Sequence, residues 1–137
     1  YFVDKHIYAY AVPNNKALSC LAKHAPLVEI GAGTGYWSYL LKARNVDSKD
    51  NALSLTLPHA YLLTLFLLVT SYDIQPSGGK EWNEYHGDLP SFTQVQKGGP
   101  EKIVKEKTLF LCYPPPGNPM ALTCLEMYEG NTVIYVG

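Results

Sequence analysis

The chain has 137 residues, 47% of them hydrophobic and 17% charged, with a formal net charge of −1. This suits one domain with an ordinary core and lacks the basic footprint that marks nucleic-acid binding. Three cysteines (Cys20, Cys112 and Cys124) form no C-x-x-C pair and leave an odd count, and His6, His24, His59 and His86 are scattered. That usage excludes a disulfide framework and a structural metal site, and it fits a reducing intracellular compartment, the cytoplasm first.

Residues 8–13 (Tyr-Ala-Tyr-Ala-Val-Pro) read as an extended lead-in, followed by Asn14 or Asn15 as the cap of a helix over residues 16–23. Ala17, Leu18 and Leu21 form its apolar face, and Pro26 separates it from a strand at residues 27–30. The strand opens the most informative run of the chain, Leu27-Val28-Glu29-Ile30-Gly31-Ala32-Gly33-Thr34-Gly35-Tyr36-Trp37. An apolar strand carries an acidic residue near its end, three alternating glycines make a tight turn, and a helix follows over residues 35–43. Trp37, Leu40 and Leu41 face inward. Glycine lets backbone approach a ligand closely and tolerates positive φ.

This turn resembles the first motif of class I S-adenosylmethionine-dependent methyltransferases, acidic-apolar-Gly-x-Gly-x-Gly. The resemblance implies a Rossmann-like α/β fold: a doubly wound, mainly parallel sheet with flanking helices. It also implies S-adenosyl-L-methionine as cofactor, with Glu29, Gly31, Ala32, Gly33, Gly35 and Tyr36 at the cofactor turn. A nicotinamide cofactor is the weaker alternative. The dinucleotide pattern G-x-G-x-x-G wants its third glycine where Tyr36 stands, and a carboxylate just before the turn gains nothing from a pyrophosphate.

From Asn51 to Tyr72 the chain has no Asp, Glu, Lys or Arg. Its densest part, residues 60–69, is short for a membrane span, which needs about 20 mainly apolar residues; a buried strand ending at Asp73 is the better reading. An acidic residue for the ribose hydroxyls is expected about 20 residues past the glycines, and Asp73 lies 73 − 31 = 42 residues past Gly31. Removing residues 48–69 would restore the usual spacing, so that stretch is read as an insertion, with Asp73 and Ile74 joining the cofactor site.

Residues 75–80 are a loop by their turn residues, and residues 81–88 are polar and aromatic together. His86 is a candidate general base there, with Glu84 and Asp88 as alternatives. A short third strand is expected at residues 92–95, a break at Gly98-Gly99-Pro100, and a charged helix or loop at residues 102–107. A clean strand follows at residues 108–112. A helix runs from Met120 to Tyr128 with Gly130 as its C-cap, and the last strand covers residues 132–136. Strands alternating with helices argue for a parallel sheet.

A second motif, Leu111-Cys112-Tyr113-Pro114-Pro115-Pro116, ends the fourth strand. It is similar to the Asn/Asp-Pro-Pro-aromatic segment with which amino-group methyltransferases hold their target. It departs from that segment, because Tyr113 takes the Asn/Asp position and Pro116 the aromatic one. A tyrosine cannot accept two amine hydrogen bonds as a carboxamide can, but its ring can stack on a planar substrate or face a cation. The resemblance thus assigns Cys112 and Tyr113 to the cofactor side, Pro114, Pro115 and Tyr10 to the substrate pocket, and Tyr113 with His86 to catalysis. Tyr8 and Tyr10 are a possible aromatic lid. The methyl acceptor is open, and neither membrane nor nucleic acid is expected as partner. A cofactor-binding protein without transfer is the main rival. Because the chain opens at Tyr1 and stops after an apolar run, the reading expects a fragment whose further C-terminal strands are missing.

Overall fold

The computed structural model describes residues 8–47 and 68–137. Strands β1 (Leu27–Ile30), β2 (Val69–Asp73), β3 (Gln96–Lys97), β4 (Thr108–Cys112) and β5 (Val133–Val136) make one sheet, in the spatial order β3-β2-β1-β4-β5. Every neighbouring pair is parallel. Among the described residues, three α-helices flank it: α1 (Asn15–Lys23), α2 (Tyr36–Asp47) and α3 (Met120–Met127). The protein therefore has the expected Rossmann-like α/β architecture.

Parallel strands covered on both faces read as continuous apolar runs, and β1 is buried at all four positions. Its alternating side chains feed two cores. Leu27, with Val69 and Phe110, packs under Leu18 and Leu21 of α1 and Trp37 and Leu41 of α2. Val28 and Ile30 join Leu109 and Leu111 on the opposite face, against Cys124 of α3. The Asn14 side chain accepts the Ala17 amide at 2.9 Å, which makes Asn14 the cap of α1; such a cap contributes about 1 kcal/mol.

Several boundaries differ from expectation, each for a local reason. The third strand lies at Gln96–Lys97, because Phe92 is drawn into an aromatic cluster with Tyr8, Tyr36 and Tyr39. The Phe92 amide donates to the Thr34 carbonyl instead of to a strand. Of the two readings of residues 102–107, helix or loop, the loop holds: after a 3-10 turn at Pro100–Lys102 the chain runs through turns to β4. α3 ends at Met127 without a glycine cap. Tyr128 is already extended there (φ −83°, ψ 114°), and its hydroxyl donates to the Lys107 carbonyl at 2.8 Å. That anchor turns the chain toward β5 before Gly130 is reached. α2 runs on to Asp47, and β5 starts one residue late at Val133.

Of the expected insertion, residues 48–67 lie outside the described residues. Val69 opens β2 in register with Leu27, so it belongs to the sheet and the boundary falls before it. Among the described residues, no helix is long and apolar enough to cross a membrane. With β2 on one side of β1 and β4 on the other, the chain leaves the carboxyl ends of β1 and β4 in opposite directions. This opens the crevice where parallel α/β sheets bind ligands.

Candidate functional site

The glycine turn after β1 is built by positive φ at Gly31 (76°), Gly33 (54°) and Gly35 (71°), values that side chains with a Cβ rarely adopt. Four of its backbone donors are spent inside the protein. The Gly31 and Ala32 amides donate to the Tyr72 carbonyl at 2.9 and 3.0 Å, and the Gly35 amide to the Ala32 carbonyl at 2.8 Å. The Gly33 amide donates to Oδ2 of Asp73 at 2.9 Å. Asp73 reaches the turn because Tyr72 pairs with Ile30, which sets the end of β2 beside the end of β1. Its other oxygen accepts the Gln75 amide at 2.9 Å. Burial pushes the Asp73 carboxyl upward, while the Gln75 and Gly33 amides and the nearby His86 oppose that shift.

Glu29 lies beneath the turn and is 2% exposed. The Ser38 and Ser71 hydroxyls both donate to its Oε2, at 2.5 and 2.9 Å. Burial drives its carboxyl up to about 7. The two serines and Lys42 pull the other way, and Asp73 adds a smaller push upward. Lys42 is itself held below its ordinary value by burial, with Glu29 opposing. The Cys112 thiol is raised to about 12 by burial and by Glu29, so it is not a nucleophile at neutral pH.

These groups border a cleft of about 310 Å³. Glu29, Gly31, Ala32, Gly33, Tyr36, Asp73, Ile74, Cys112, Tyr113, Pro115, Tyr10 and His86 line it together. Two expected residues do not. Pro114 is not in its lining, whereas Pro116 is. Gly35 serves internal packing: a Cβ there would meet Val95 at 2.8 Å and Thr93 at 3.0 Å. Gly33, by contrast, carries the His86 ring directly, with Nε2 only 2.5 Å from where a Cβ would stand.

Sequence reasoning missed the far walls. Gly98, Gly99 and Pro100 line the cleft from the end of β3, and their Gly-Gly-Pro break was the available signal. Met120 and Thr123 of α3 also line it, and Met120 Cε would come within 3.0 Å of a Cβ on Gly31. Nothing local marks them, since the contact spans the crossover from β4.

Charge completes the description. Among the described residues lining the cleft, the carboxylates are Glu29, Asp73 and Glu84, and there is no Lys or Arg. Compared with known proteins, the chain matches no family model, no curated sequence and no solved structure. The case for function therefore rests on the geometry and electrostatics of this cleft.

Proposed function

We propose that the chain is an S-adenosylmethionine-binding domain of a methyltransferase. The observation that carries this reading is the pairing of committed amides at Gly31, Ala32, Gly33 and Gly35 with an acidic cleft whose described lining holds no lysine or arginine. A phosphate-bearing cofactor is held by free backbone N–H groups and by positive charge, and this turn offers neither from Gly31, Ala32, Gly33 or Gly35. A ligand with a sulfonium and an ammonium finds carboxylates instead, at Glu29 and Asp73. The same contrast disfavours the nicotinamide reading.

Bound S-adenosylmethionine would supply an electrophilic methyl group. The protein's part is to bind, orient and exclude water, which suffices for an in-line transfer. Glu29 faces the cationic end, Asp73 offers its carboxylate to ribose hydroxyls while holding the turn, and the tyrosines and prolines at the end of β4 wall off the acceptor side. His86, buried on Gly33, is the group beside the cleft best suited to take a proton from an acceptor. The second reading, binding without transfer, draws on one feature: Tyr113 stands where a carboxamide would grip an amine, and its ring is covered by Tyr10.

Calorimetric titration with S-adenosylmethionine and, separately, with NAD tests the proposal. Saturable binding of the first alone, weakened by Asp73→Ala and by Gly33→Val, is expected. Binding of NAD alone to the folded protein would sink it.

A further inference from the structure

The mouth of the cleft holds one ring where a ligand ring belongs. Tyr10 stacks on Tyr113 with ring centroids 5.6 Å apart and planes inclined by 16°. Two more rings meet Tyr10 nearly at right angles: His86 at 5.9 Å and 75°, and Tyr85 at 6.3 Å and 82°. One face-on partner and two edge-on partners are the arrangement in which aromatic quadrupoles hold a flat ring. Tyr113 adopts it in a left-handed backbone conformation, φ 49°, which is costly for a residue with a Cβ and is characteristic of functional positions. Tyr113 is nonetheless 43% exposed.

The segment that brings Tyr10 to this place is tied on both sides. The Thr34 hydroxyl donates to the Tyr8 carbonyl, and the Trp37 indole N–H donates to the Ala11 carbonyl at 2.6 Å. The Tyr8 ring is held by Tyr36 at 5.2 Å and Phe92 at 5.7 Å. The backbone on either side of Tyr10 is thus fixed by contacts that do not use its ring.

We propose that Tyr113, Tyr85 and His86 form an acceptor subsite for a small molecule bearing a planar aromatic ring, and that Tyr10 occupies this subsite until such a ring displaces it. This rests on the methyltransferase reading for what happens to the ring, though not for its binding. A flat ring is the occupant argued for because the group that fills the position, the Tyr10 ring, lies nearly parallel to Tyr113.

The test titrates indole, a flat probe, and cyclohexylmethanol, a ring that is not flat, into the full chain and into variants whose fold is verified by circular dichroism. Tyr10→Ala vacates the position and should bind indole about tenfold or more tightly than the unaltered chain, as stacking on an aromatic platform predicts. Adding Tyr113→Leu should abolish that gain, adding Tyr113→Trp instead should keep it, and cyclohexylmethanol should show no gain. Equal indole affinity with and without Tyr10, a gain that survives Tyr113→Leu, or cyclohexylmethanol matching indole would overturn the subsite. Titration with S-adenosylhomocysteine in parallel separates the two claims. Indole behaving as expected without cofactor binding removes the methyltransferase and keeps the subsite; cofactor binding without the indole pattern removes the subsite alone.

Discussion

Replacing Glu29 by glutamine should stabilise the folded chain and weaken its hold on a cationic ligand, and one proton links the two effects. Burial raises this carboxyl from 4.5 to about 7. Below about pH 4.5 the group is protonated in both folded and unfolded chains and contributes no pH dependence. Between those values the unfolded chain ionises first and the folded chain keeps its proton, so stability falls as pH rises; above about 7 the full penalty is present. At ~1.4 kcal/mol per unit, the penalty is about 3 kcal/mol. Urea denaturation should therefore find Glu29→Gln more stable than the unaltered chain by up to about 3 kcal/mol near pH 8, and nearly equal to it near pH 4.5. Ligand affinity should move oppositely. If only the ionised form binds the cation, the competent fraction grows about eightfold from pH 6 to pH 7.5, and Kd should fall by that factor. In Glu29→Gln that dependence should vanish and binding should be weak throughout. A pH-independent stability difference, or a Kd that is flat across this range while Gln matches Glu, would refute the reasoning.

Three further outcomes follow from the turn and the thiols. Asp73→Ala leaves the Gly33 and Gln75 amides without their acceptor; urea denaturation should show a loss of about 2–4 kcal/mol, the cost of two stranded donors. Gly35→Ala and Gly33→Ala should differ in kind. The first pushes a Cβ into Val95 at φ 71° and should lower the melting temperature with Kd little changed. The second, at φ 54°, drives a Cβ into the His86 ring in the cleft wall and should weaken S-adenosylmethionine by about tenfold as well as lower the melting temperature. Iodoacetamide at pH 8 should label Cys20 alone in the folded chain, since burial raises Cys112 to about 12 and Cys124 to about 11. Rapid labelling of more than one thiol, read by mass spectrometry, would contradict that.

What was legible in the sequence was local. Leu27 to Ile30 reads as a strand because Leu27, Val28 and Ile30 form a short apolar run between Pro26 and Gly31, and Gly31, Gly33 and Gly35 announce a turn because no other residue enters positive φ so cheaply. Asp73 was legible by type and misplaced by distance, since spacing along the chain says nothing once residues 48–67 intervene. It is the register Ile30 to Tyr72 that returns it to Gly33. The third strand was not legible because Phe92 advertises β-propensity and then spends its ring on Tyr8, Tyr36 and Tyr39. Gly130 looked like a helix cap, yet the Tyr128 hydroxyl stops α3 first by reaching Lys107, a contact no window around the helix contains.

The glycine turn joins folding to recognition unevenly, and that unevenness is informative. Asp73 builds the turn with two backbone hydrogen bonds and borders the cleft with the same carboxylate, so its loss confounds stability with binding. Glu29 does the reverse. It is buried and raised by burial, and its hydroxyl partners Ser38 and Ser71 both converge on a single oxygen. A carboxyl kept at a cost to the apo fold is what a site requires when the offsetting charge arrives with the ligand. Among the described residues no lysine or arginine lines the cleft, and Lys42, which lies outside that lining, offsets the rise of Glu29 only in part. Under the proposed function, the offsetting charge is that of a cationic ligand in the crevice between β1 and β4.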